Sequence, residues 1–276
     1  MRENFLDFKE YYKQAIVKVP NDSFFKGSID HKFRHSVAVL YAGERIIKET
    51  PELKNTSESF RKLAKTALLF HDVGRFEEAV KRHNTPNLTA KAEVLNQYDH
   101  GLLGYNALKD NPKYNDIRIV LAVRYHGKMM DEVRKSSLWQ KTQACPEGKE
   151  AQEILYLVRD ADKLANLENI KKEDHLRKDL FYKLLSKEAL QAGLSEKVKE
   201  QFLSGQTVLS PTVYSFADRV LMILSWIFDL NYQKTKEIFK ENKYDEYLLD
   251  LLAQYHQKQT DIMSIRKKMI KNLLKN

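Results

Sequence analysis

Apolar residues recur at helical spacing along most of the chain. In each such segment they repeat every three or four residues, which is the pattern of an amphipathic helix. The clearest segments are residues 35–48, 60–72, 115–126 and 151–167. No alternation of apolar and polar residues persists long enough to indicate a β-sheet. The pattern therefore predicts an all-α fold.

The helical segments end at residue pairs that disfavour a continuing helix. Proline lacks an amide donor and drives the residue before it towards an extended conformation. Glycine adopts backbone conformations that commonly end a helix. The predicted breaks are Thr50-Pro51, Val73-Gly74, Asn111-Pro112, His126-Gly127, Cys145-Pro146 and Ser210-Pro211.

Two segments leave alternatives open. Residues 128–150, which contain Trp139, are the least periodic stretch. We expect a long loop there, which either borders a site or simply connects two helices. The terminal segment 261–276 has basic residues around an apolar stripe that could face a membrane or a partner helix, although terminal helices more commonly pack on their own domain. The stripe comprises Ile262, Ile265, Met269 and Leu273.

The composition limits the classes of protein to consider. The 276 residues are 42% hydrophobic and 31% charged, which suffices for one large domain or two modest ones with a buried core. Nine Gly and six Pro are few for this length, in agreement with a helical fold. The single cysteine, Cys145, excludes a disulfide framework and a cysteine-rich zinc site.

The chain is basic, with a formal net charge of +9. Such a charge attracts phosphorylated ligands, nucleic acid or anionic membranes. The charges are spread along the helices, however, which favours a solvated lysine-rich surface. The first residues lack the apolar core of a signal peptide, and the longest apolar run, residues 220–228, is too short for a bilayer. We therefore expect a cytoplasmic protein with no membrane span.

Four histidines lie at the edges of separate apolar helical segments. A single histidine at such a place usually packs in the core or caps a helix. Because helix ends meet in a bundle, however, four imidazoles there could converge on one point. The four are His35, His71, His100 and His126. Of the other four histidines, we interpret His83, His175 and His256 as surface or loop residues, and His31 is an alternative to His35.

The strongest local signal is the pair His71-Asp72 in the stretch LLFHDVGRFEE. Neighbouring helical side chains point about 100° apart, so both can contact one ion only where the helix ends. We expect Gly74 to end it in the left-handed conformation. A buried carboxylate needs a positive partner, and either a divalent cation or Arg75 could supply the charge.

These residues carry a resemblance to a known family. HDVGR after an apolar helix resembles the HD superfamily of metal-dependent phosphohydrolases, which are all-helical proteins. The other elements of that superfamily follow in order, and the closest likeness is to small bacterial HD proteins. The elements are HSVAV, HDVGR, DHGLLG, RYHG and RDADKL. The resemblance implies one domain over residues 1–276, with an HD helical-bundle core at about 25–175 and a helical C-terminal extension at about 180–276.

The resemblance also implies a metal site and a reaction. One ion would take His35, His71, Asp72 and Asp162, and a second would take His100 and His126 with Asp72 as the bridge. Borderline divalent ions such as Mn, Fe, Zn, Co or Ni, or Mg, suit these ligands, at one or two ions per chain. The ions would activate a water for attack on a small phosphorylated substrate, which we expect to be a nucleotide. Asp72 would be catalytic as the bridging ligand, and Arg75 and Lys163 would stabilise the phosphate charge.

Two ligand assignments have a neighbouring alternative. Asp160 and Asp162 point about 200° apart on a helix, and the family pattern favours Asp162. His31 lies one turn before His35 and can share its face, and the resemblance favours His35. Glu77 or Glu78 could orient a ligand histidine, although a solvated position is expected for at least one of them.

Other functions remain as alternatives. The chain lacks the G-Y-P extension of the cyclic-dinucleotide phosphodiesterases after His126 and the synthetase domain of the alarmone enzymes, so we expect a stand-alone hydrolase. A non-catalytic module that senses metal or nucleotide is the first rival, although a degenerate pocket should have lost ligands. A metal-dependent nuclease is the second, although the scattered Tyr and Phe do not form an interleaved nucleic-acid surface.

Overall fold

The computed structural model describes residues 1–85, 98–178 and 180–273, and helices dominate every part of these ranges. No β-strand occurs among the described residues, so the prediction of an all-α fold is confirmed. The chain forms two compact units, residues 1–165 and 166–276. Our expectation of a single domain with an HD core and a C-terminal extension stays a prediction.

The first unit contains nine described helices and most of a tenth. Helix α10 continues into the second unit. The helices are α1 Arg2–Val17, α2 Ser23–Glu49, α3 Pro51–Lys54, α4 Glu58–Phe70, α5 Gly74–His83, α6 His100–Leu108, α7 Ile117–Tyr125, α8 Met130–Lys135, α9 Ser137–Gln143 and α10 Gly148–Glu173.

Helix α4 forms the centre of the first unit and packs against α2 and α7. Its last turn, Leu68 to Phe70, has no solvent exposure. The Phe70 ring lies 5.3 Å from Phe8 of α1 and 4.6 Å from Tyr114, measured between ring centroids. Each such buried side chain stabilises the fold by about 1.5–3 kcal/mol, so the residues next to the His71-Asp72 pair are held firmly.

The prediction of a long loop at residues 128–150 is wrong. The segment contains α8, α9 and the start of α10. The Ser136 side chain caps α9 by accepting a hydrogen bond from the amide of Trp139, and the Trp139 and Val133 side chains are buried. Capping and burial stabilise helices of six and seven residues, which are too short for a hydrophobic period to reveal.

The second unit is a further set of helices. Its helices are α11 His175–Lys178, α12 Leu180–Leu184, α13 Lys187–Gln191, α14 Glu196–Ser204, α15 Phe216–Leu224, α16 Gln233–Glu241, α17 Tyr244–Tyr255 and α18 Gln259–Leu273, with 3-10 turns at Ser210–Thr212 and Ser225–Asp229. Ser215 and Asp218 form a reciprocal capping box at the start of α15.

The apolar stripe of α18 packs inside its own unit. Ile262, Ile265 and Met269 are buried, and α18 contacts α14 and α17. Over the part that ends at residue 273, the terminal helix therefore packs on its own unit, which is the commoner of the two expected arrangements. In the described part of the chain, no helix combines the length and apolarity needed to cross a membrane.

Candidate metal centre

Helices α4 and α7 end in the same way. In each, the histidine that follows the helix is hydrogen-bonded to a carbonyl oxygen of the last turn. The Nδ1 of His71 donates a 2.9 Å hydrogen bond to the carbonyl oxygen of Leu68. The Nδ1 of His126 donates a 3.1 Å bond to the carbonyl oxygen of Val123. Because a carbonyl can only accept, Nδ1 carries the proton in both rings, and a neutral ring then has its lone pair on Nε2.

Asp72 lies between these histidines, and its two oxygens face different partners. Oδ2 is 3.7 Å from Nε2 of His71 and 3.1 Å from Nζ of Lys32. Oδ1 is 3.4 Å from Nε2 of His126 and 3.7 Å from Nε2 of His100. The carboxylate therefore connects His71 on one side with the His100 and His126 pair on the other.

His35 and Asp162 complete the cluster. The Nε2 of His35 lies 2.8 Å from Oδ1 of Asp162, and the same oxygen is 3.8 Å from Nε2 of His71. The structure thus brings together all six residues that were predicted from the sequence as metal ligands. Three overlapping groups have donor atoms within 4.8 Å of one another. The groups are His35–His71–Asp72, His71–His126–Asp162 and Asp72–His100–His126.

The two alternative ligands, His31 and Asp160, lie outside these three donor groups. His31 stacks beside His35, with 6.5 Å between ring centroids, and it belongs to none of the donor groups found among the described residues. Asp160 is completely buried and is likewise absent from those groups. The geometry therefore favours His35 and Asp162 as candidate ligands.

Two glycines bring helices α5 and α6 close enough to form the cluster. Gly74 begins α5, and a Cβ there would lie 2.0 Å from the carbonyl oxygen of His100 and 2.4 Å from the amide nitrogen of Gly104. The prediction of a left-handed Gly74 is wrong, since only Gly193 and Gly205 have positive φ among the described glycines. Glycine is needed at position 74 because another backbone passes there.

The charge states of the cluster suit a cation. Burial lowers the pKa of His71 to about 4, and burial together with Arg75 lowers the pKa of His100 well below its usual value. Burial by itself raises the pKa of Asp72, but Lys32 and His71 outweigh it and hold that pKa well below its usual range. At neutral pH His71 and His100 therefore offer neutral imidazole and Asp72 an ionised carboxylate, the donors that borderline divalent ions prefer.

The spacing of the donors passes a geometric test for an ion. Ligands about 2.0–2.2 Å from one ion lie about 3.0–3.5 Å from each other. The donor pairs around Asp72 and His71 are 3.4–3.8 Å apart, so a small contraction would seat an ion. The Nε2 of His71 is fully buried and has no hydrogen-bond partner among the described residues. Leaving it so costs about 1–3 kcal/mol, which a bound cation would offset.

Arg75 and Lys163, the two predicted phosphate contacts, differ in position. The Nε of Arg75 is 3.6 Å from Oδ1 of Asp72, and its NH1 donates a 2.8 Å bond to the buried carboxylate of Glu78. Glu78 thus holds Arg75 rather than a histidine, and the Glu77 side chain is about half-exposed. Lys163 donates a 3.4 Å bond to the carbonyl oxygen of Arg159 on its own helix.

Sequence reasoning missed two residues of the site. Lys32 lies one turn before His35 on α2, so helical spacing could have suggested it. The buried Arg159 donates from NH1 to the carbonyl oxygens of His126 at 2.9 Å and of Lys128 at 2.5 Å. Arg159 therefore anchors the end of α7 and the position of the His126 ring. No local pattern signals this contact, because it joins residues 33 positions apart.

The histidines without a motif lie elsewhere in the chain. His83 ends α5 and bonds to Asn84, and His175 begins the short helix α11. His256 lies in the loop after α17, in agreement with the prediction of a surface or loop residue, although its side chain is only 12% exposed. Its Nδ1 accepts a bond from the amide of Leu194, and its Nε2 pairs with Asp261.

Comparison with known proteins gives one match. A family model described as the HD domain matches residues 33–167, about half of the chain. The matched range contains every residue of the three donor groups. No curated protein and no solved structure gives a significant match to the chain.

Proposed function

Because residues 33–167 belong to the HD-domain family, we propose that the protein is a metal-dependent phosphohydrolase that acts on a small phosphorylated compound. The compound that we propose is a nucleotide. The observation that carries the proposal is the arrangement around Asp72. One carboxylate oxygen faces His71, and the other faces His100 and His126. A carboxylate with ligands on both sides is suited to bridge two ions.

The donor groups and the contacts of Asp162 support the ligand assignment. His35, His71 and Asp72 form one donor group, and Oδ1 of Asp162 lies 2.8 Å from His35 and 3.8 Å from His71. These four residues would hold one divalent ion. His100 and His126 would hold a second, with Asp72 shared between them. Bound divalent ions supply Lewis-acid activation of water and of the phosphoryl group.

The residues around the ligands have separate tasks in this proposal. The hydrogen bonds from His71 to Leu68 and from His126 to Val123 keep Nε2 of each ring directed at the cluster. Arg75, held by Glu78, brings a guanidinium next to Asp72, where it can neutralise charge that develops on a phosphoryl oxygen. Lys163 could also contact a phosphate, but only after leaving the carbonyl of Arg159.

The test is a release assay with defined metals. The protein, supplied in turn with Mn, Fe, Co, Ni, Zn and Mg, is incubated with nucleotides and phosphomonoesters, and orthophosphate is measured. We expect release that requires metal and that disappears in His71→Ala and Asp72→Ala while helical content by circular dichroism is retained. His83→Ala is the matched control. It removes a histidine at the end of α5 in the same unit, outside the three donor groups, and should leave activity at the wild-type level.

The same assay separates the rival functions. Metal-dependent cleavage of single-stranded DNA or RNA without nucleotide turnover would favour a nuclease. Nucleotide binding with no turnover under any metal would favour a non-catalytic sensing module. Full activity in both Ala variants would place the chemistry outside the cluster.

A further inference from the structure

A cavity of about 350 Å³ opens beside His100 in the first unit. This volume lies within the range of about 300–1,000 Å³ that is common for small-molecule pockets. His100 contributes to its wall, and a Cβ at Gly127 would lie 3.5 Å from Nε2 of His100. The same nitrogen is 3.7 Å from Oδ1 of Asp72. The cavity therefore adjoins the cluster directly.

The lining of the cavity is strongly basic. Arg75, Arg124 and Lys128 line it, together with the single carboxylate of Asp99. Nη1 of Arg124 lies 3.1 and 3.0 Å from the two oxygens of Asp99, and Nζ of Lys128 lies 3.1 Å from Oδ2 of Asp99. The single carboxylate of Asp99 thus pairs with both Arg124 and Lys128, and these three side chains together keep a net positive charge.

The two cations are also neighbours that are held in place. Each lies about 3 Å from the same Asp99 oxygen, and Asp99 itself is fixed because it caps α6 by accepting the amide of Leu102. The Arg124 side chain is 18% exposed, so its guanidinium is shielded from water on most sides. A pre-positioned guanidinium beside an ammonium group is well suited to an anion with several oxygens.

We propose that this cavity binds a second phosphate group of the substrate, with Arg124 and Lys128 as specificity-determining residues. The proposal rests on the proposed function, which puts the reacting phosphoryl group at the neighbouring cluster. The substrate class is then a compound with at least two phosphate groups. Two sources share this chemistry, a phosphoanhydride such as a nucleoside diphosphate and a bisphosphate with its groups on different carbons.

The first test measures binding without turnover. Pyrophosphate and orthophosphate are titrated by calorimetry into the chelator-treated 276-residue protein. We expect pyrophosphate to bind more tightly, and we expect Arg124→Met and Lys128→Met each to reduce that preference about tenfold, as the loss of a hydrogen bond to a charged group predicts. Lys109→Met is the control, because it removes one positive charge from the exposed end of α6 outside the cavity.

The second test measures selectivity in turnover. The ratio of kcat/KM for ADP to that for AMP, and the ratio for fructose 1,6-bisphosphate to fructose 6-phosphate, are compared in the same three variants with the metal-loaded protein. A tenfold fall of one ratio in Lys128→Met, and wild-type ratios in Lys109→Met, support the proposal. The ratio that falls identifies the anhydride or the bisphosphate as the source.

The outcomes distinguish this proposal from the proposed function. If no phosphorylated compound is hydrolysed but the preference for pyrophosphate depends on Arg124 and Lys128, the anion site stands and the phosphohydrolase fails. If hydrolysis occurs but both variants keep the wild-type ratios and the wild-type preference for pyrophosphate, the second-phosphate site is overturned. A wild-type protein that binds orthophosphate as tightly as pyrophosphate overturns it as well.

Discussion

The substitution Gly74→Ala tests how the cluster is assembled. The new methyl carbon would lie 2.0 Å from the carbonyl oxygen of His100 and 2.4 Å from the amide nitrogen of Gly104. Ordinary non-bonded contacts are well over 3 Å, so α6 has to move away from α5 by about 1 Å or more. Both obstructing atoms belong to the backbone, so no side-chain rotation can relieve the contact.

The expected losses of stability and of metal binding follow from this displacement of α6. Overpacking of this kind costs about 1–3 kcal/mol, and we expect the upper end because two rigid helices must separate. Metal sites tolerate errors of only about 0.2 Å in ligand position, so a shift of His100 by about 1 Å should weaken an ion held by Asp72, His100 and His126. The ion held near His35 and His71 should be affected less.

Urea denaturation and metal titration of Gly74→Ala measure both effects. Gly27→Ala is the matched control, because nothing lies within 4 Å of a Cβ at that position of α2. Alanine there should be neutral or stabilise the protein by about 0.5–1 kcal/mol, as it does in helix interiors generally. Wild-type stability and wild-type metal binding in Gly74→Ala would refute the reasoning.

Two further predictions concern stability. Arg159→Met should destabilise the protein by about 2–4 kcal/mol and weaken metal binding through His126, because NH1 of Arg159 holds the end of α7; urea midpoints at wild-type values would contradict this. The metal-free protein should lose up to about 3 kcal/mol of stability as pH falls from about 6.5 to about 4, since His71 takes up a proton when unfolded but stays neutral when folded. Urea denaturation at several pH values measures this loss, which His71→Gln should reduce but not abolish, because the buried His100 also has a lowered pKa; an equal loss in that variant would contradict the assignment to His71.

Helical periodicity and the motif spacing anticipated much of the architecture. The all-α fold follows from the repeat of apolar residues in segments such as 60–72. The convergence of His71 and His126 follows from their positions at the ends of two helices that pack together. The helices and the residues at which they end depend on local sequence, so the sequence predicts them; the packing that brings the two ends together is implied by the family resemblance.

The features that were missed depend on contacts between distant segments. The need for glycine at position 74 arises from the backbone of α6, and a reading of the local sequence suggested a helix terminus instead. Arg159 acts on carbonyl groups 31 to 34 positions earlier. The helices within 128–150 depend on a serine cap and on burial of Trp139. The Ser136 cap is local and was overlooked, whereas the other effects are tertiary, and periodicity contains no record of them.

The metal content of the folded chain tests the central claim most directly. The wild-type protein, Asp72→Ala and the control His83→Ala are each reconstituted with Mn, Fe, Co, Ni or Zn, freed of unbound metal and measured by inductively coupled plasma mass spectrometry. We expect one or two ions per chain in the wild type and in His83→Ala, and a loss of most bound metal in Asp72→Ala, because both proposed ligand sets share that carboxylate. A folded wild-type chain that retains no metal, or an Asp72→Ala chain with the wild-type content, would contradict it.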